Sequence, residues 1–150
     1  MKSLLYPAPD CIREICEQQR YGKWLRAKAS AHVRRDRKRH GREYCGVSKY
    51  KSLIHAAVSN GGNRDYYTGE LLRWDLVSTY RNADSILGKT KYKAGFALLP
   101  TVDHTFDEHG QPKFVICSWR VNDAKSDCSE AEFAELCAKV VRHLEQRDTA

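Results

Sequence analysis

Apolar residues recur along this chain in two rhythms, and the change from one to the other marks its elements. Near the C-terminus Phe133, Leu136, Cys137, Val140, Val141 and Leu144 fall on one face of a helix. Ser129 and Glu132 precede that run as S-x-x-E, the spacing of a capping box. The helix is expected to pack through this face, with Cys137 as a core thiol. Two earlier runs, FALLPTVDH and KFVICSW, are too short for helices and rich in β-formers. DEHGQP between them reads as a turn, with His109 solvated, so the pair predicts a hairpin. A helical turn carrying Asn122 and Lys125 follows.

The N-terminal part reads as helical. Residues 8 to 40 predict helix with a break near Gly22, Asp10 capping the first piece and Gly41 ending the second. The second piece, KWLRAKASAHVRRDRKRH, shows only a thin apolar stripe of Trp24, Leu25 and Val33, so His32 and His40 are expected to face solvent. VSKYKSLIHAAVS, residues 47 to 59, predicts another amphipathic helix capped by Ser48, with His55 at its boundary. NGGNRD is a turn cluster. YYTGELLRWDLVSTY is punctuated at Thr68-Gly69 into strand-like or strand-then-helix pieces, and residues 81 to 95 read as loop. The expected fold class is α+β: N-terminal helices, a hairpin and a C-terminal amphipathic helix. Residues 1–60 form a basic helical region and 61–150 a second region of one compact domain.

Charge changes this picture most. Of the formal +7, the stretch from Arg20 to Lys51 holds twelve basic residues against two acidic ones, or +10, leaving the remainder at −3. A basic segment on a slightly acidic body suggests a polyanionic partner. DNA is the expected one, met by Arg34, Arg35, Arg37, Lys38, Arg39 and Arg42. No apolar stretch approaches a membrane span, and MKSLLYPAPD is too short for a secretory signal, so a cytoplasmic place away from membranes is expected. Six cysteines without a C-x-x-C pair read as reduced thiols rather than a zinc site.

Candidate chemistry gathers at the hairpin. Val102-Asp103-His104 ends the first run, and Asn122 and Lys125 share a face of the helix start. Packing that helix across the hairpin would bring all four together. Asp103 is a hard oxygen ligand and Asn122 a neutral one, a pair that leaves water on Mg2+ (or Mn2+) as that ion prefers. A histidine ordinarily titrates near neutrality, so His104 suits a general base. Lys125 or Arg120 would add positive charge.

The order Asp-His, short hairpin, Asn122-x-x-Lys125 resembles the ββα-metal (His-Me finger) core of HNH endonucleases. NDAKSDCSEAEF is similar to the N-x-x-K-S-D-x-S-x-x-E-F segment of phage-like members, and YYTGELLRWD to their T-G element. The resemblance covers roughly residues 64 to 143. It implies single-metal phosphodiester hydrolysis, with His104 as general base and Asp103 and Asn122 as metal ligands. Two positions depart from the pattern. Pro112, Lys113 and Phe114 stand where the family has its middle Asn, so another group must steady the His-bearing segment. Tyr66-Tyr67 replaces a zinc cysteine, implying a zinc-free version. A catalytically inactive nucleic-acid-binding protein of the same fold, and a module binding an acidic protein partner, are the alternatives.

Overall fold

A 23-residue helix, α1 (Gln18–His40), is the spine of the protein. The computed structural model describes residues 4–41, 46–81 and 93–149. Helix α1 runs unbroken through Gly22, although an interior glycine costs roughly 1 kcal/mol of helix propensity. Tyr21, Trp24 and Leu25 beside it are all buried and hold the turn in place. Residues 10 to 15 form turns, and Asp10 pairs with Arg13 instead of capping a helix. At the other end Gly41 adopts a left-handed φ of 66° and its N–H bonds to Arg37 O, closing the helix as expected.

Helix α2 (Val47–Gly61) packs on α1 and turns Tyr50, Ile54 and Val58 inward. Its N-cap is Gly46, so Ser48 does not cap it. The Thr68-Gly69 region is a turn rather than a strand. Asp65 Oδ1 accepts the N–H groups of Tyr67 and Thr68 at 2.7 and 2.9 Å, while Oδ2 accepts Ser118 N–H at 2.5 Å. Burial would raise the Asp65 pKa, but these N–H bonds win and lower it. A single 3-10 turn, Trp74–Leu76, follows. The expected loop at 81 to 95 lies mostly outside the described residues, and residues 93 to 95 are helical.

Strands β1 (Pro100–Phe106) and β2 (Pro112–Ser118) pair antiparallel, with Asp103 opposite Val115 and His104 opposite Phe114. The hairpin turn is set by Asp107, whose Oδ1 accepts the N–H groups of His109 and Gln111, and by Gly110 at φ 71°. The alternation of side chains gives the hairpin two faces. Val102, Phe114 and Ile116 join Trp24, Leu25, Tyr50, Ile54 and Trp74 in one core. Against the other face lie Tyr67 and α3 (Trp119–Lys125), which starts at Ser118 through its own hydroxyl accepting Val121 N–H at 3.2 Å. The architecture is thus α+β, and one core joins residues of both expected regions.

Helix α4 (Glu130–Asp148) carries the expected capping box of Ser129 and Glu132. Beyond Phe133, which meets Tyr67, its apolar face is not packed. None of its residues is buried, and Cys137 is exposed rather than in the core. No described helix is long and apolar enough to cross a membrane.

Candidate active site

The site is built on a stripe of α1 that the apolar pattern conceals. Trp24, Lys28, His32 and Asp36 are spaced four apart, so they stack along one side of the helix, which lies against β1. Trp24 Nε1 donates to Pro100 O at 3.3 Å and Lys28 Nζ to Thr101 Oγ1 at 2.9 Å. His32 meets the His104 ring edge-on at 5.1 Å, and Asp36 Oδ1 lies 3.5 Å from His104 Nδ1. His32 is only 1% exposed, so the expectation that it faces solvent is wrong. A histidine in a basic helix looks solvated until the helix is seen to bury that side.

His104 sits in an aromatic box. Its ring stacks on Phe114, its register partner, at 4.7 Å and 20°, and Tyr50 and His32 meet it edge-on. Tyr50 Oη also donates a hydrogen bond to Asp36 Oδ2, so α2 fixes the carboxylate that faces the imidazole. Burial lowers the His104 pKa. Asp36 and Asp103 pull it up and Arg35 and Arg39 push it down, leaving it below the ordinary value. The ring is therefore neutral at neutral pH. Asp36 favours the proton on Nδ1, and Nε2 is buried without a hydrogen-bond partner among the described residues. His32 is held lower still, to about 3, chiefly by burial and then by Arg35.

Asp103 projects from the opposite face. Its Oδ2 accepts the Tyr67 hydroxyl at 2.5 Å and lies 3.2 Å from Lys125 Nζ. Both members of this ion pair are buried, and Lys125 also donates to Cys128 O at 2.5 Å. Burial, then the bond to Asp103, raises the Tyr67 pKa, so the phenol keeps its proton and remains a donor.

Although they leave β1 on different faces, Asp103 and His104 border the same hollow of about 260 Å³, and so does Asn122. Arg35 and Arg39 contribute positive charge to its lining, and Asp36, Asp123 and Asp127 contribute carboxylates. Arg39 lies 3.6 Å from Asp127. Among the described residues, no cluster of three or more His, Cys, Asp or Glu side chains is placed to hold a metal ion. The expected donors, the Asp103 carboxylate and the Asn122 amide, line the hollow together with the carboxylates of Asp36, Asp123 and Asp127. Oxygen donors of this kind suit a hydrated magnesium or manganese ion better than zinc.

The other candidates fall elsewhere. Lys125 is buried against Asp103 and is not on the wall of the hollow. Arg120 turns away, pairing with Glu70 at 2.7 and 2.9 Å and bordering a separate hollow beside Trp119. Arg34, Arg37 and Lys38 are exposed on α1, whereas Arg42 lies outside the described residues. His109 is exposed in the hairpin turn, as expected. Asp36, Tyr50 and Tyr67 are the participants that the sequence pattern missed. Only the isolated acid within RRDRKRH hinted at one of them. No family model, curated protein or solved structure matches the chain.

Proposed function

We propose that the protein is a metal-dependent endonuclease of the HNH type that hydrolyses phosphodiester bonds in DNA. In this reading β1, β2 and α3 are its ββα-metal core. The observation that carries the reading is the convergence of Asp103, His104 and Asn122 on one hollow also lined by Arg35 and Arg39.

In this reading His104 Nε2 takes the proton of the attacking water, and the buried atom must open to the hollow when DNA binds. Asp36, facing Nδ1, stabilises the imidazolium that results, and Tyr50 keeps that carboxylate aligned. Asp36 therefore fills the steadying part for which the hairpin supplies no asparagine. Asp103 and Asn122 would hold Mg2+ or Mn2+, which supplies charge neutralisation at the phosphoryl and leaving oxygens. Tyr67 and Lys125 fix the Asp103 carboxylate through Oδ2. Arg35 and Arg39 bind the phosphate backbone, and the exposed arginines and lysines of α1 extend that footing along DNA.

Nicking of supercoiled plasmid with magnesium or manganese tests the reading. His104→Ala should lower the nicking rate by about 10²- to 10⁴-fold while DNA binding persists. Asp36→Asn should cost about 10- to 100-fold, the range for a group that orients another. If the unaltered protein binds DNA but nicks with neither ion, the proposal fails in favour of a catalytically inactive DNA-binding protein. One observation favours that second reading: Lys125 Nζ on Asp103 Oδ2 competes with a metal for the carboxylate's charge.

A further inference from the structure

Helix α4 is tethered at its first turn. Glu130 accepts the Tyr66 hydroxyl at 3.3 Å, and Phe133 meets the Tyr67 ring at 6.2 Å. From there its apolar side chains face outward. Leu136, Val140, Val141 and Leu144 are 51, 49, 53 and 45% exposed, and Cys137 is exposed among them. An apolar strip along a helix of about 28 Å normally lies against something.

We infer that this strip pairs with the same strip of a second copy of the chain, the two helices antiparallel about a twofold axis. The spacing and the charges both support this occupant. Phe133, Cys137, Val140 and Leu144 follow one another at intervals of four, three and four, the spacing of a coiled-coil seam. In one antiparallel register Phe133 lies opposite Leu144 of the second copy, Leu136 opposite Val141, and Cys137 opposite Val140. The same register sets Glu130 opposite Arg147. The first turn of α4 carries Glu130 and Glu132, and its last turn carries Arg147 between Glu145 and Asp148. Antiparallel pairing therefore sets Glu130 against Arg147 at both ends of the seam and opposes the helix dipoles favourably. Parallel pairing would stack glutamate on glutamate.

The strip is small. A helix footprint of about 28 Å by about 10 Å falls below the roughly 800 Å² per partner of a standard stable interface. The association is accordingly expected at micromolar rather than nanomolar concentration. The inference does not depend on the nuclease reading. If the site cuts DNA, the dimer carries two such sites, as cutting both strands of a duplex requires.

Sedimentation equilibrium of the full chain, from low micromolar towards about millimolar concentration, should show mass rising to twice that of the chain. Val140→Glu with Leu144→Glu, both at exposed positions, should leave a monomer throughout. Glu130→Arg or Arg147→Glu alone should weaken association by about 2- to 30-fold, since the symmetry breaks two exposed ion pairs. Combining the two should restore it. A chain that stays monomeric over the whole range, a dimer indifferent to the glutamates on the strip, or a charge swap that restores nothing would each overturn the inference.

Discussion

On one face of the hairpin Asp103 lies 3.2 Å from Lys125 Nζ and accepts the Tyr67 hydroxyl. On the other, His104 lies between aromatic rings, with a single carboxylate, Asp36, at its Nδ1. The two residues are neighbours in sequence, yet their surroundings handle charge in opposite ways. The Asp103 face keeps a charge in the interior by matching it with a counter-charge and a hydroxyl. The His104 face suppresses a charge by keeping water out, with Asp36 offsetting part of that cost. For a hydrolytic site the division is useful, because a metal ligand must stay anionic while a general base must stay neutral. It also means that the two faces should fail differently.

The largest effect is expected on the Asp103 face. Removing one partner of a buried ion pair leaves the other uncompensated, at a cost of about 3–5 kcal/mol. Lys125→Met should therefore lower the urea midpoint strongly. Adding Asp103→Asn should recover part of that drop, since no unmatched charge then remains. An unchanged midpoint in Lys125→Met would mean that the pair is solvated and the comparison wrong.

A smaller, pH-dependent effect is expected behind His104. His32 has a folded pKa of about 3 against about 6.5 for the unfolded chain. Between those values the unfolded chain binds a proton that the folded protein does not. Stability contributed by the neutral His32 is thus complete above about pH 6.5 and drains away as pH falls towards about 3. His32→Leu should flatten the acid limb of stability against pH by up to about 1.4 kcal/mol per pH unit. Equal acid slopes for the two proteins would show that His32 titrates normally and that the aromatic face is wet.

How much of this the sequence could reveal depended on the range of the interactions involved. Local signals held. The hairpin, the capping box of Ser129 and Glu132, and the glycine end of α1 depend on residues a few positions apart. The grouping of Asp103, His104 and Asn122 was also legible, because hairpin and helix are consecutive. Asp36 was not, since an acid among arginines reads as charge balance until α1 lies against a strand 68 residues further on. His32 was missed for the same reason. The apolar stripe of α4 showed which face is greasy, but periodicity carries no information about what covers it. The result is a helix with no buried residue where packing had been expected.

The smallest effect sharpens the same comparison within α3. Lys125 and Arg120 were both expected to place positive charge at the reacting centre. Residues two positions apart on a helix point about 200° apart, so Arg120 cannot share the direction of Asn122. The structure accordingly pairs it with Glu70, at side-chain exposures of 55 and 41%. An exposed pair of this kind is worth about 0–1 kcal/mol. Arg120→Ala should thus shift stability by less than about 1 kcal/mol, against several for Lys125→Met. It should also leave plasmid nicking within about twofold, since an exposed arginine already paired outside the hollow adds little at the reacting phosphate. Arg39→Ala, in the lining of the hollow, should by contrast reduce the salt dependence of DNA binding by about 0.9 in logarithmic slope for each phosphate that the arginine neutralises. If Arg120→Ala instead abolished nicking at unchanged stability, Arg120 would have to leave Glu70 when DNA binds. The basic contribution to catalysis would then come from the Asp103 face and not from α1.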